Sequence, residues 1–454
     1  DDIHHQYYFY REFFNNFLKQ GIFPWWNPYN FSGSPFIANS MLNIWYPPTW
    51  LFFLLPLNIA YSWHLALHIL WAMTGMYFFL SIILSRSVNE FFGDSRSSSS
   101  QPSRISQASL SEDSAVRFIQ SLRSRAGRIF SAPKNSSLRV SIPFSVHLPA
   151  LVGGLIFGLS GFFMARVWAG HVDIIAAASW MPWVVAAFAA NFIRPAGGSN
   201  FKLENQVYKQ EQRRLMVIAS LALAAQLLAG YHTMAFFTLE AVFIVTMFHC
   251  YIVKNIKPLI LMTVSVALAI GLAAIQLFPE IELLRQSIRS YSLPYSWASY
   301  GAETWVNLKQ LFSPFIFGDQ LMYAGTAPNY SEHAAFVGKI GLGLAVFAVL
   351  VFLGRIFKSP KSVWKSTQFY WIPVYGIITI LGLWISLGPN APVDLQKILW
   401  SLVPIYHSLR IPPRHLILFV FGASALAAYG FSFIRPGLWK LKGRAFSFGR
   451  LLEI

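Results

Sequence analysis

The chain has 454 residues, 55% of them hydrophobic and only 12% charged, and its mean hydropathy of +0.48 excludes an ordinary soluble domain and points to an integral membrane protein. The net charge of +17 does not indicate nucleic acid, because the basic residues lie between hydrophobic runs rather than on one face of a folded domain. Cys250 is the single cysteine and falls inside an apolar run, which excludes a disulfide framework or a cysteine-based metal site.

Residues 1–58 read as a first extracytoplasmic loop. The sequence opens Asp1-Asp2 without Met, which suggests a fragment whose preceding apolar helix is missing; that helix would run outward and deliver Asp1 to the outer surface. Paired carboxylates there suit a general base or, through oxygen ligands, a divalent cation such as Mg or Mn; they suit an ordinary solvated loop start equally well. His4 and His5 diverge on most backbones and make a poor metal pair. The stretch GIFPWWNPYNFSGSPFIANSMLNIWYPP, Gly21 to Pro48, has no charge, and its prolines at 24, 28, 35, 47 and 48 exclude a spanning helix. Its aromatic rings predict an ordered loop lying against the bundle at the membrane boundary.

Apolar runs predict about nine spans between 59 and 434: 59–84, 147–165, 174–192, 215–230, 231–253, 259–279, 336–354, 369–388 and 414–434. With 1–58 outside, the inner loops 85–146, 193–214, 254–258 and 355–368 and the basic tail 435–454 hold 25 of the 35 Lys and Arg, as positive-inside topology requires. The Ser- and Arg-rich 85–146 reads as a cytoplasmic linker, with a basic amphipathic helix near 115–130 as an alternative.

Within an apolar bundle, retained polar groups mark the places where chemistry can sit. His64 and His68 are one helical turn apart, a spacing open to metal but, with no carboxylate nearby, better suited to packing. Arg166, His171 and Asp173 share a very short outer loop, where Asp173 can act as a helix cap, as a site residue, or as both. Glu240 sits mid-span. The long outer segment 280–335 carries Glu280, Glu282, Arg285, Arg289, Glu303, Asp319 and Glu332, and a loop of this length often forms a lid or binding element. Arg410 and Arg414 stand at the outer mouth of the last span, where a planar guanidinium can hold a phosphate or snorkel to lipid headgroups. No phosphate-cradling, dinucleotide, nucleophile-elbow or zincin pattern occurs.

The Asp pair, the loop G-x-x-P-x-W-N-P-Y-x-x-x-G-x-P (Gly21 to Pro35), YPP (Tyr46 to Pro48), GLSGFFMARVWAGH (Gly158 to His171), SWMPW (Ser179 to Trp183) and LRIPPRHL (Leu409 to Leu416) occur in an order that resembles the YfhO family of bacterial membrane proteins. The resemblance implies an all-α, polytopic helix bundle of GT-C type. It also implies transfer of a sugar from a polyprenyl-phosphate carrier to a cell-envelope glycan or lipid, on the extracytoplasmic face of the cell membrane and with no nucleic acid involved. Asp1 or Asp2 would be the general base in a single, inverting displacement, and Asp173 and His171 would orient the acceptor or share the base role. Arg410 or Arg414 would steady the departing phosphate, while Arg166, Trp25, Trp26, Asn27, Glu303 and Asp319 line the substrate cleft. His171 stands where an Asp-x-Asp pair would place its first acid, which leaves a metal without its usual ligand. A transporter or flippase of lipid-linked sugars, and a non-catalytic envelope-assembly protein, are the rival readings.

Overall fold

The computed structural model describes residues 2–30, 32–93, 144–191, 201–291, 293–359 and 367–440. Asp1, residues 94–143 of the linker with its 115–130 stretch, and residues 441–454 of the tail lie outside them.

The described residues are mostly helical. The principal helices are α1 (Tyr8–Lys19), α2 (Leu57–Gly93), α3 (Phe144–Gly158), α4 (Gly161–Ala169), α5 (Val172–Ser179), α6 (Met181–Asn191), α7 (Phe201–Leu228), α8 (His232–Val253), α9 (Lys257–Leu272), α10 (Ala274–Arg285), α11 (Lys339–Lys358), α12 (Ile372–Leu387) and α13 (Leu416–Lys440). One short antiparallel pair, β1 (Trp26–Asn27) with β2 (Ser34–Pro35), closes the tip of the first loop, with Trp26 opposite Pro35 and Asn27 opposite Ser34.

Seven stretches of the described residues are long and apolar enough to cross a membrane: Leu57–Ser85, Val146–Ala169, Val172–Ala190, His232–Val253, Lys339–Lys358, Ile372–Asn390 and Pro412–Ile434. The sequence-based spans 215–230 and 259–279 are not among these seven, and only the second is bent. Residues 215–228 are the apolar end of α7, a helix of 28 residues that rises about 42 Å at 1.5 Å per residue, more than a hydrocarbon core of about 30 Å. The 259–279 run is split between α9 and α10, which meet at an angle of 80°. Ala273 leaves helical geometry at the break, and Pro279, inside α10, supplies no amide to the carbonyl of Ile275.

Burial separates central from peripheral helices. Val172–Ala190 is 89% and Pro412–Ile434 78% enclosed by the protein, against 22% for Lys339–Lys358, so the two central spans are those whose first turns carry Asp173 and Arg414. The long connections gather at that same end of the bundle and are tied there by hydrogen bonds: Asn43 Nδ2 to Ala229 O at 2.9 Å, Gly161 N to Phe336 O at 2.7 Å and Glu303 N to Ser386 O at 2.8 Å.

The proline-rich loop lies on this end. Buried Arg11 donates to Leu42 O and Asn43 Oδ1. Tyr46 accepts from Trp180 Nε1 at 2.6 Å, and its own hydroxyl lies 2.8 Å from His68 Nε2. His68 Nδ1 in turn faces His64 O at 2.6 Å, so Nδ1 carries the proton and the Tyr46 hydroxyl donates to Nε2. This histidine is therefore a latch between loop and bundle, which accounts for its polarity without a metal.

Candidate active site

Two close approaches of the backbone assemble a polar cluster at the loop-rich end. Gly170 ends α4 in the left-handed conformation, φ +78°, and a Cβ there would stand 2.9 Å from Ile3 N and 3.1 Å from Asp2 N. Only glycine combines this turn with that contact, and the contact brings Asp2 to His171, whose Nε2 lies 3.4 Å from Asp2 Oδ2. Gly161 packs against the 334–338 connection, where a Cβ would be 2.8 Å from Phe336 N, and this carries the adjacent Glu332 over α4.

Glu332 is the hub. It is almost fully buried and receives Arg166 Nη2 at 3.3 Å and Arg414 Nε at 3.0 and 3.2 Å, with Arg414 Nη2 as a further donor. Burial alone would raise its carboxyl, but Arg414, and Arg166 behind it, hold it down at about 2, so it is ionised at any physiological pH. Arg166 has no solvent exposure; it also donates to Phe162 O at 3.1 Å and lies 3.6 Å over the Phe162 ring. Arg414 donates to the Tyr231 hydroxyl. It leaves the backbone just after Ile411, a β-branched residue held at φ +65°, a strained conformation that directs the Pro412–His415 turn into the cluster.

The carboxylates on the other side of the cluster differ in access. Asp173, in the first turn of α5, is 5% exposed, accepts from Ile174 N at 2.8 Å and is hydrogen-bonded by Tyr7. Burial and the Asp173 charge push the Tyr7 phenol well above its usual value, so it remains the donor. Asp2 keeps 49% of its side chain exposed, yet partial burial raises its carboxyl, and the charge of Glu332 adds to the rise. Burial draws His171 down to about 4, so its imidazole is neutral at pH 7; Nε2–H points at Asp2 and Nδ1 is buried without a partner. Asp2 is therefore the acid an incoming group can reach, and His171 fixes its orientation.

The sequence-expected residues divide accordingly. Asp2, Arg166, His171, Asp173 and Arg414 come together, whereas Asp1 lies outside the described residues. Asn27 is buried and caps the Tyr29 amide at 3.0 Å, so it lines no cleft. Trp25 and Trp26 are exposed on the loop, and none of their contacts reaches the cluster. Glu303 is an internal partner: its Oε1 is 2.8 Å from His333 Nδ1, both side chains are buried, and His333 Nε2 faces Ala327 O at 3.1 Å. An acceptor on each ring nitrogen favours the imidazolium form of His333, and Glu303 raises its pKa against the effect of burial. Arg410 stacks 4.3 Å from the Tyr300 ring, away from Glu332. Asp319 caps the amides of Leu321 and Met322 beside an open cleft of about 340 Å³ shared with Trp168, Phe315, Gly318 and Met322.

Sequence reasoning missed Glu332 as the hub and also missed Tyr7, Tyr231 and His333. Glu332 is separated from Arg166 by 166 residues in the chain, and the one local signal was the pair Glu332-His333 just before the apolar run that opens at Ala334. Among the described residues no three His, Cys, Asp or Glu side chains converge as a metal site; a cation held between Asp1 and Asp2 would depend on a residue outside them. Comparison with protein-family models, with curated proteins and with solved structures returns no match.

Proposed function

We propose that the chain is a membrane glycosyltransferase of GT-C type, as the resemblance to the YfhO family implies. It would transfer a sugar from a polyprenyl-phosphate carrier to a cell-envelope glycan or lipid at the extracytoplasmic face. The observation that carries this reading is the half-exposed Asp2 carboxylate, raised in pKa and held against neutral His171 beside the arginine pair. In the proposed step Asp2 takes the proton of the acceptor hydroxyl as its oxygen attacks the anomeric carbon, and the sugar–phosphate bond breaks with inversion. Two guanidiniums against one carboxylate leave the Arg166–Glu332–Arg414 triad with one net positive charge, which suits an anionic leaving group. Arg414, 19% exposed, is the member within reach of that phosphate, and Arg410 is not part of the triad.

One observation favours a second reading, a transporter of lipid-linked sugars. Mid-span Glu240 accepts from Tyr406, its Oε1 is 3.9 Å from His415 Nε2, and its Oε2 is buried without a partner, a polar group of the kind found along membrane pathways. Membranes containing the protein, supplied with radiolabelled polyprenyl-phosphate sugar, separate the two. Label appearing in a glycan or lipid product supports the enzyme, and label moved between leaflets without transfer supports the transporter.

A further inference from the structure

The bend between α9 and α10 places a surface that the site does not use. Lys257 opens α9 at the end of the bundle opposite the polar cluster, and the 16 residues of α9 rise about 24 Å. A hydrocarbon core is about 30 Å thick, so the 80° turn comes before α9 has left the acyl region. The helix that follows runs along the leaflet at the depth where interfacial helices lie.

The exposed surface is continuous through the turn. Ile260, Val264, Leu268 and Leu272 are exposed along α9, and Ile275, Phe278 and Ile281 continue the row on α10, with Phe278 at 66%. Exposed Glu282 and Arg285 follow in the last turn, marking the rise toward the headgroups. The opposite face of α10 is polar and turned inward: Gln276 is buried and donates to Glu280, whose Oε2 is 3.2 Å from His232 Nε2. His232 directly follows Tyr231, the partner of Arg414.

We propose that α10 is an in-plane membrane helix whose Ile275–Phe278–Ile281 row inserts among the acyl chains of the leaflet adjoining the polar cluster, forming a lipid-level rim beside it. The partner is the bilayer itself, because the row extends without interruption the exposed apolar side of α9, whose rise of about 24 Å lies within the acyl region. The inference is independent of the glycosyltransferase reading.

The test uses the full chain in phosphatidylcholine–phosphatidylglycerol liposomes, with nitroxide labels at F278C, I281C and, as the aqueous reference, Q286C, each in a C250S background and each required to elute like the unlabelled protein. Power saturation against oxygen and a water-soluble nickel chelate reads depth. Labels at 278 and 281 are expected to collide with oxygen several-fold more readily than with nickel, and the label at 286 to show the reverse. Nickel access at 278 and 281 equal to that at 286 would overturn the proposal. Exclusion of both agents, the signature of packing against protein or a second copy, would overturn it equally.

Discussion

Two guanidinium groups meet one buried carboxylate at Glu332, and the consequences of removing it follow from electrostatics. E332Q would leave Arg166 and Arg414 facing a neutral amide in a region that excludes water. Breaking such a pair costs about 3–5 kcal/mol, so the variant should lose that much stability in denaturant titration of the detergent-solubilised protein. The same carboxylate sets an acid limb. Its folded pKa, about 2, lies below the ordinary 4.5, so its contribution is complete above pH 4.5 and is lost as pH falls toward 2. His333 works in the other direction. Its folded pKa is raised above 6.5 by Glu303, so its contribution is complete below pH 6.5 and is lost as pH rises through the folded value. Thermal melts from pH 6 upward should show that decline, and in E303Q the decline should be absent. Residue by residue, the sequence disclosed Arg166, His171 and Asp173 because a short loop cannot separate them. It misdirected attention to Asn27 and Glu303, since a polar residue in an apolar chain looks the same whether it awaits a substrate or is already satisfied by the fold.

At the scale of elements, the turn between α4 and α5 sets the distance from Asp2 to His171. G170A adds about 1–2 kcal/mol of left-handed strain and a methyl group within 3.1 Å of Asp2 N, so the Ile3 end of the first loop must move away. On the proposed mechanism, a shift near 1 Å costs roughly 100-fold in rate. Transfer by G170A should fall by about that factor while the melting temperature drops by only a few degrees, a separation that activity and thermal-shift assays on one preparation would reveal. The extent of the helices was legible because about 20 apolar residues are what a bilayer demands. The α9–α10 break was not, because hydropathy averages along the chain and is blind to a change of axis; Pro279 alone gave a local sign of it.

At the scale of the molecule, the architecture puts the Asp2 loop, the 286–338 segment and the Pro412–His415 turn together at one end of the bundle, and the proposed function takes that end as extracytoplasmic, the side that the excess of Lys and Arg in alternate loops predicts for it. Tyr29, 82% exposed on the first loop, offers a direct reading of sidedness. In a C250S background, Y29C should react with an impermeant maleimide on intact cells, whereas protection until lysis would reverse the topology. The charge pattern could be read without a structure because it operates loop by loop, but the meeting of Glu332 with Arg166 and Arg414 could not, because it depends on helices far apart in the chain packing side by side. The central claim, that Asp2 is the base of a sugar transfer, is tested most directly by D2N beside wild type in membranes given radiolabelled polyprenyl-phosphate sugar. Transfer by wild type and its loss in D2N, at equal protein abundance and unchanged melting temperature, is the result the account predicts; transfer by D2N at the wild-type rate would contradict it.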